Sequence, residues 1–323
     1  MTLKQIYNLA IQVGIKTDPR GKKEVDKILK KEKEKFKELK KQEQEEFDQE
    51  KFFNPYADSR ILNDISGDKQ IKRILVGIDL EGPEILLADR LTEKGKKIDL
   101  LIAHHPEGKA LASLSEVMHL QEDLLYKLGV SINVAEGIMN PHIAEVARTI
   151  APANHFRAID MAKILNFSFM CVHTPADNLV MDFIQKKIDR EKPETLGEII
   201  KLLKTIPEYN QATKENAGPK IFVGHSERKA GKIAISEITG GTEGPKEIYE
   251  KLSHAGVGTV IGMHMSEASR KEAEKYHINV VIAGHYSSDS LGMNLFLDEL
   301  EKRGIEIIPC SGLIRVKRFL HNA

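Results

Sequence analysis

The sequence predicts an α/β protein of two lobes packed around a central metal site, preceded by a charged helical extension. Three observations carry that reading. Short apolar runs alternate with helical stretches from about residue 70 onward. Several of those runs end on histidine, with a carboxylate close behind. Between Arg20 and Lys51, 22 of 32 residues are charged, and neither Gly nor Pro occurs from Lys22 to Lys51, a composition that favours helix. The expected division is a helical extension over 1–54, a first α/β lobe over 55–190 and a second over 191–323. The boundary is drawn in the polar stretch Lys186–Gly218, which carries Pro193, Pro207, Asn210 and Asn216.

Length and composition narrow the classes. At 323 residues the chain is roughly two domains long. Lys+Arg 48 balances Asp+Glu 48, which excludes a broadly basic binder of nucleic acid or anionic membrane. Two cysteines, Cys171 and Cys310, exclude a disulfide framework and a thiolate-rich metal site. No run of about 18 apolar residues occurs, and Lys4, Lys16, Asp18 and Arg20 leave no signal-peptide core. A soluble, cytoplasmic protein without a membrane or nucleic-acid partner is expected.

The elements follow in order. Leu3, Ile6, Ala10 and Val13 share one face of a short helix ending at Gly14. Val25, Leu29, Phe36 and Leu39 trace a narrow stripe, read as a single exposed helix docked by that stripe, with a protein partner's docking surface as the alternative. Strands are expected at Ile71–Ile78, Ile98–Ala103, Val130–Val134, Phe167–Val172, Lys232–Glu237, Thr259–Met263, Val280–Ala283 and Ile305–Ile308. Helices are expected at Pro83–Leu91, Ser115–Leu128, within Pro141–Ile164, and at Pro245–Ala255, Ser266–Tyr276 and Asn294–Arg303.

In open α/β sheets ligands gather at the carboxyl ends of strands, where loops converge on a rigid frame. Three expected strands here end on histidine: His104-His105, then His173 with Asp177 four residues on, then His285 with Asp289 four residues on. Pro106 holds His105 out of helical geometry, and Pro175 is read as breaking the helix between His173 and Asp177, leaving a shaped loop. Gly284 allows close backbone approach, and Ser287 or Ser288 is placed to cap the next helix. Imidazoles with carboxylates and no thiols suit Zn, Fe, Mn, Co or Ni. An aspartate between two imidazole sets can bridge two ions about 3.5–4 Å apart.

Other residues carry weaker signals. Thr239–Gly244 is a glycine-rich turn without a P-loop's Lys-Ser/Thr, read as a plain turn. His225 is read as a solvated hairpin tip, and His264, at a strand end, as a candidate substrate contact. His119, His142 and His155 take surface or capping roles, and Cys171 and Cys310 are read as small buried apolar residues.

Three segments resemble the Nif-three-like family of dinuclear metal-centre proteins: Val76–Pro106 with its terminal His-His-Pro, Val172–Asn178 (VHTPADN), and Val257–Asp289 with its Gly-His-Tyr. The resemblance implies His104, His105, Asp177, His285 and Asp289 as ligands of two divalent metal ions, with Asp177 as the bridge. His173 is then a neighbouring residue, and His173 or His264 a candidate proton carrier. It also implies a homo-oligomer, a hexameric ring, with metal sites facing an inner cavity. The chain departs from the family where Asp289 replaces the usual Glu, in added helices around Leu111–Leu165, and in the charged segment Arg20–Lys51. The expected activity is metal-dependent hydrolysis of a small-molecule (phospho)ester or amide. The alternative is a non-catalytic metal-handling or scaffold oligomer with the segment 20–51 as its docking element.

Overall fold

The computed structural model describes residues 1–319. Within them, the strands are β1 (Ile61–Asn63), β2 (Arg73–Gly77), β3 (Leu100–Ala103), β4 (Ser168–Cys171), β5 (Lys220–Val223), β6 (Lys232–Glu237), β7 (Val257–Gly262), β8 (Asn279–Ile282) and β9 (Glu306–Pro309). They form two sheets, ordered β1-β4-β3-β2-β9 and β5-β8-β7-β6. Each sheet is parallel except for one antiparallel edge, β1 against β4 and β5 against β8. The apolar runs of β3 and β4 are buried at every residue, as strands covered on both faces must be.

Helices supply those covers. Leu3, Ile6 and Ala10 of the helix Leu3–Thr17 and Phe296 and Leu300 of the helix His285–Glu301 fill one face of the first sheet. Ile85 and Ala88 of Gly82–Glu93 and Ala158 and Ala162 of Arg157–Ile164 fill the other. In the second sheet, Val180, Ile184, Ile199 and Leu203 cover one face, and Met139, Ile143 and Leu252 the other. The α/β lobes read from the alternation of strands and helices are therefore present.

Several expected elements differ. Val130–Val134 is not a strand, because the helix Ile132–Ile150 begins inside it and carries Pro141 in its interior. Ala135, Met139 and Ile143 recur at four-residue spacing and are buried, so packing of a helical face overrides the β-branched residues ahead of it. The last strand, expected beside the second lobe, is β9, which pairs with β2 in the first sheet. The segment Arg20–Lys51 is not one helix. It folds back as Lys22–Glu38, Lys41–Glu46 and a 3-10 turn at Gln49–Phe52. Phe36, Phe47 and Phe52 meet there with ring centroids 5.1 to 5.4 Å apart, a small apolar knot that rewards the reversal at Leu39-Lys40. His225 is exposed beside Glu227, but not at a hairpin tip, because β5 pairs with β8 and not with β6.

Two helices that start at the strand ends cross closely. A Cβ on Gly292 of His285–Glu301 would lie 2.4 Å from the carbonyl oxygen of Ala176 in Thr174–Glu191. Gly14 gives the same latitude to the helix Leu3–Thr17, where a Cβ would come within 2.7 Å of Pro175 Cβ. Gly292→Ala therefore destabilises the protein by about 1–3 kcal/mol in urea denaturation, although alanine is the better helix former. An unchanged midpoint would mean that the crossing has slack.

Candidate metal centre

The carboxyl ends of strands from both sheets point to one place. β3 runs into His104-His105, β4 into His173, β7 into His264, and β8 into His285. The side chains meet there: the ring centroids of His104 and His173 are 4.9 Å apart, those of His105 and His285 5.2 Å, and those of His264 and His285 5.0 Å. Asp177 enters from the first turn of the helix Thr174–Glu191, and Asp289 from just beyond the first turn of the helix His285–Glu301. Pro175 occupies the first turn of its helix, where a missing N–H costs nothing, so it starts that helix instead of breaking it. Neither serine caps the later helix: Gly284 holds the N-cap position, and the Ser288 hydroxyl donates back to the Gly284 carbonyl.

Asp289 lies between the histidines. Its Oδ1 is 3.5 Å from His104 Nε2, and its Oδ2 is 3.7 Å from His105 Nε2 and 3.8 Å from His285 Nε2. Asp177 sits at one end, with Oδ1 3.5 Å from His104 Nε2 and Oδ2 3.9 Å from His173 Nε2. Both carboxylates thus face imidazoles with each oxygen, Asp289 three of them and Asp177, which the resemblance points to as the bridge, two. Both side chains are buried, and Asp177 Oδ1 and both oxygens of Asp289 have no hydrogen-bond partner among the described residues. Buried carboxylate oxygens left without donors are costly unless a cation completes them.

The imidazoles are oriented to do so. His104 Nδ1 donates to the Val172 carbonyl at 3.0 Å, His105 Nδ1 to Asp79 at 2.7 Å and His173 Nδ1 to Asp58 at 2.8 Å. Each pairing leaves Nε2 facing the carboxylates, the outer partner fixing the tautomer and raising ligand basicity. Three groups lie within metal-ligand reach: His104, His105 and His173; His105, His285 and Asp289; and His104, Asp177 and Asp289. The nitrogen and oxygen donors fit a divalent transition ion. The buried His/Asp cluster is able to bind metal.

Electrostatics follow the same geometry. Burial opposes charge on His104, but Asp289 and Asp177 outweigh it and hold its pKa above the ordinary value. Burial raises Asp177 well above the carboxylate range, reinforced by Asp289 and Asp58. Asp289 goes the other way: burial is outweighed by His104, His285 and His105, and its pKa is lowered. Burial, with the neighbouring histidines, pushes His285 down to about 4, so it presents a neutral ring.

Beside the carboxylates lies a small cavity whose wall includes Glu237, Thr239, Thr242, Glu243 and His264. His264, expected near the site, is there, with its pKa lowered by burial. The turn Thr239–Gly244 also faces the cavity. Gly240 and Gly241 have φ of 97° and 94°, and Gln121 donates to the carbonyls of Gly240 and Thr242. His142 contacts the Glu243 carbonyl at 2.9 Å, while His119 and His155 pair locally with Glu122 and the Ile150 carbonyl. Cys171 lies buried in β4, and its thiol is pushed up to about 12 by burial. Sequence reasoning missed Asp58, Asp79 and Glu237. Asp79 and Glu237 sit at strand ends, a signal that could have found them, whereas Asp58 lies in a loop with none.

Glu237 makes a pH prediction. Burial pushes its carboxyl from 4.5 to about 7. Between those values the folded state keeps a proton that the unfolded chain releases, so this group's contribution to stability falls as pH rises through that window. Glu237→Gln removes that slope in urea denaturation of the metal-free protein. The gain at pH 8 is on the order of 2 kcal/mol, discounted because the side chain keeps some solvent contact. A variant that is no more stable than wild type at pH 8 would refute this.

No known family model matches the sequence, and no curated protein matches it significantly. Solved structures do. A NIF3 superfamily protein from Sphaerobacter thermophilus is 27% identical, covers 80% of this chain and 92% of its own, and superposes with a TM-score of 0.70. Reduced HcgD from Methanocaldococcus jannaschii is 14% identical, covering 78% of this chain and 87% of its own at a TM-score of 0.48. A Bacillus cereus protein related to NIF3 is 10% identical, covering 81% and 93% at 0.38. The Sphaerobacter structure carries the comparison: this chain shares the fold of a NIF3 superfamily protein over 92% of that protein's length.

Proposed function

We propose that this chain binds two divalent metal ions through His104, His105, Asp177, His285 and Asp289 and uses them to hydrolyse a small-molecule ester, phosphoester or amide. The observation that carries the reading is Asp289: buried, without a hydrogen-bond donor, and reaching His104 with one oxygen and His105 and His285 with the other. When bound, a pair of divalent ions supplies Lewis acidity towards a carbonyl or phosphoryl oxygen and acidifies water at neutral pH. The chain's own residues do the rest. Asp79, Asp58 and the Val172 carbonyl hold three imidazoles in register. His173 and His264 flank the cavity as proton carriers, and the Thr239 and Thr242 hydroxyls line the space where a polar substrate is oriented. Self-association into a homo-oligomer, a hexamer in the family pattern, is supported by apolar residues left in solvent. Ile164 is 77% exposed, and Leu86 and Leu87 are exposed on the helix Gly82–Glu93, which packs against the helix bearing Ile164.

Elemental analysis of protein reloaded with Zn, Fe, Mn, Co or Ni tests the centre. Wild type is expected to hold about two ions per chain and Asp289→Ala none. Asp79→Ala should weaken metal affinity about 10–100-fold by freeing the ring of the ligand His105. Hydrolysis of an ester, phosphoester and amide panel should be lost in Asp289→Ala. Two ions with no turnover of any substrate under any metal would remove the hydrolase and leave a metal-handling protein. Sedimentation at micromolar concentration checks self-association, and a monomer would overturn it.

A further inference from the structure

The segment 20–51 lies outside the part of the chain that resembles the family, yet its last turn is wired to His173 beside the metal site. The contact is Arg60. Its side chain is 1% exposed, and its two terminal nitrogens pair with Asp48 at 2.9 Å and Glu50 at 3.0 Å, both at the end of that segment. Its Nε has no hydrogen-bond partner among the described residues, so the guanidinium is held through its two terminal nitrogens by these two carboxylates. Asp48 is further tied to Lys109 at 2.9 Å, and Glu50 accepts from the Tyr7 hydroxyl. Asn54 in turn donates to the Ser59 carbonyl at 2.9 Å, and the Tyr7 oxygen lies 3.2 Å from the same carbonyl. Apart from Lys109, the groups that the first 54 residues grip here belong to Ser59 and Arg60.

The other side of the same stretch holds His173. The Ser59 hydroxyl accepts from the His173 backbone N–H at 2.9 Å. The Asp58 carboxylate accepts from His173 Nδ1 at 2.8 Å and from the Thr174 hydroxyl at 2.6 Å. Arg60 also exchanges backbone hydrogen bonds with Cys171, two residues before His173. Asp58, Ser59 and Arg60 are each buried, so no water stands ready to take over a lost partner. Residues 58–60 are therefore a short buried bar, gripped at one end by the N-terminal segment and holding at the other the ring that faces Asp177.

The geometry points to Arg60 as a positioning residue of the metal centre, with Asp48 and Glu50 as the anchors that the charged N-terminal segment provides. On this assignment the segment is a structural part of the site. Arginine suits the role, because its planar fork fixes direction as well as charge, which a lysine ammonium does not. The inference rests on the metal-centre reading above for its consequence, but its geometry concerns His173 alone.

The test uses the full-length chain with 15N-labelled histidine, metal-free, following the Nδ1–H signal of His173 assigned by its loss in His173→Gln. A ring N–H buried against a carboxylate exchanges slowly. In Asp48→Asn/Glu50→Gln its exchange is expected to speed at least tenfold, and in Arg60→Lys to speed by a smaller factor. Val257→Ala, a core truncation at the start of β7, controls for lost stability and should leave the signal where it is. The visible absorption of Co(II)-loaded protein provides the second reading, shifted in the two site variants and unchanged in the control. If the double variant fails to fold, Arg60→Lys decides alone. A His173 signal and a Co(II) spectrum identical to wild type in every folded variant would overturn the assignment. If wild type takes up no cobalt, the metal reading fails while the histidine exchange still decides the role of Arg60.

Discussion

Asp177 and Asp289 share one buried shell, each 3.5 Å from the same imidazole nitrogen of His104. Two carboxylates so close in a low-dielectric interior cannot both stay ionised without compensation. Their opposite shifts record this: Asp289 is held ionised by its three histidines, and Asp177 is driven towards its neutral form. Four histidines converge on them from strands of both sheets, and three of these are pinned from behind by an oxygen. Keeping two acids in a core requires a precise ring of nitrogen around them, and a precise ring requires rigid supports.

The supports are the strand ends and the helices that leave them. His104, His105 and His173 hang from the first sheet, His264 and His285 from the second, so the shell is a joint between the sheets. The helices carrying Asp177 and Asp289 cross at Gly292 and Ala176, with no room for a methyl group, which fixes the spacing of the carboxylates from below. Asn178, one residue after Asp177, accepts from Thr239 of the glycine-rich turn, so the cavity wall is referenced to the same helix. Position is set by backbone-level contacts, and the titratable groups occupy what those contacts leave.

Much of this was legible in the residues. Alternating apolar runs marked the core strands, because strands buried on both faces have little freedom of composition. Histidine at three strand ends marked the site, because only that placement lets distant segments meet. The failures share a cause, which is that tertiary contact outranked a local signal. The β-branched start of Ile132–Ile150 reads as strand until Ala135, Met139 and Ile143 are seen to be buried together. Pro175 reads as a break until it is seen at a first turn. Glu, Lys and Gln read as one long helix until three phenylalanines close on each other. Asp58 carried no signal at all, since a single aspartate in a loop gains meaning only from the ring it meets.

The position of β9 has a consequence for how the molecule is made. The first sheet takes β1 to β4 from residues 61–171, then waits for its edge strand until residues 306–309, while the second sheet is continuous between residues 220 and 282. On a ribosome the second sheet is therefore complete while the first still lacks both an edge and its covering helix His285–Glu301. That helix also brings Asp289, so the shell around the histidines closes only after the second sheet is complete. Contacts of such sequence separation slow folding, because loop-closure entropy is lost before they form. Until then β2 presents an unpaired, apolar edge to its surroundings, and the nascent chain is at its most aggregation-prone just before it acquires its site.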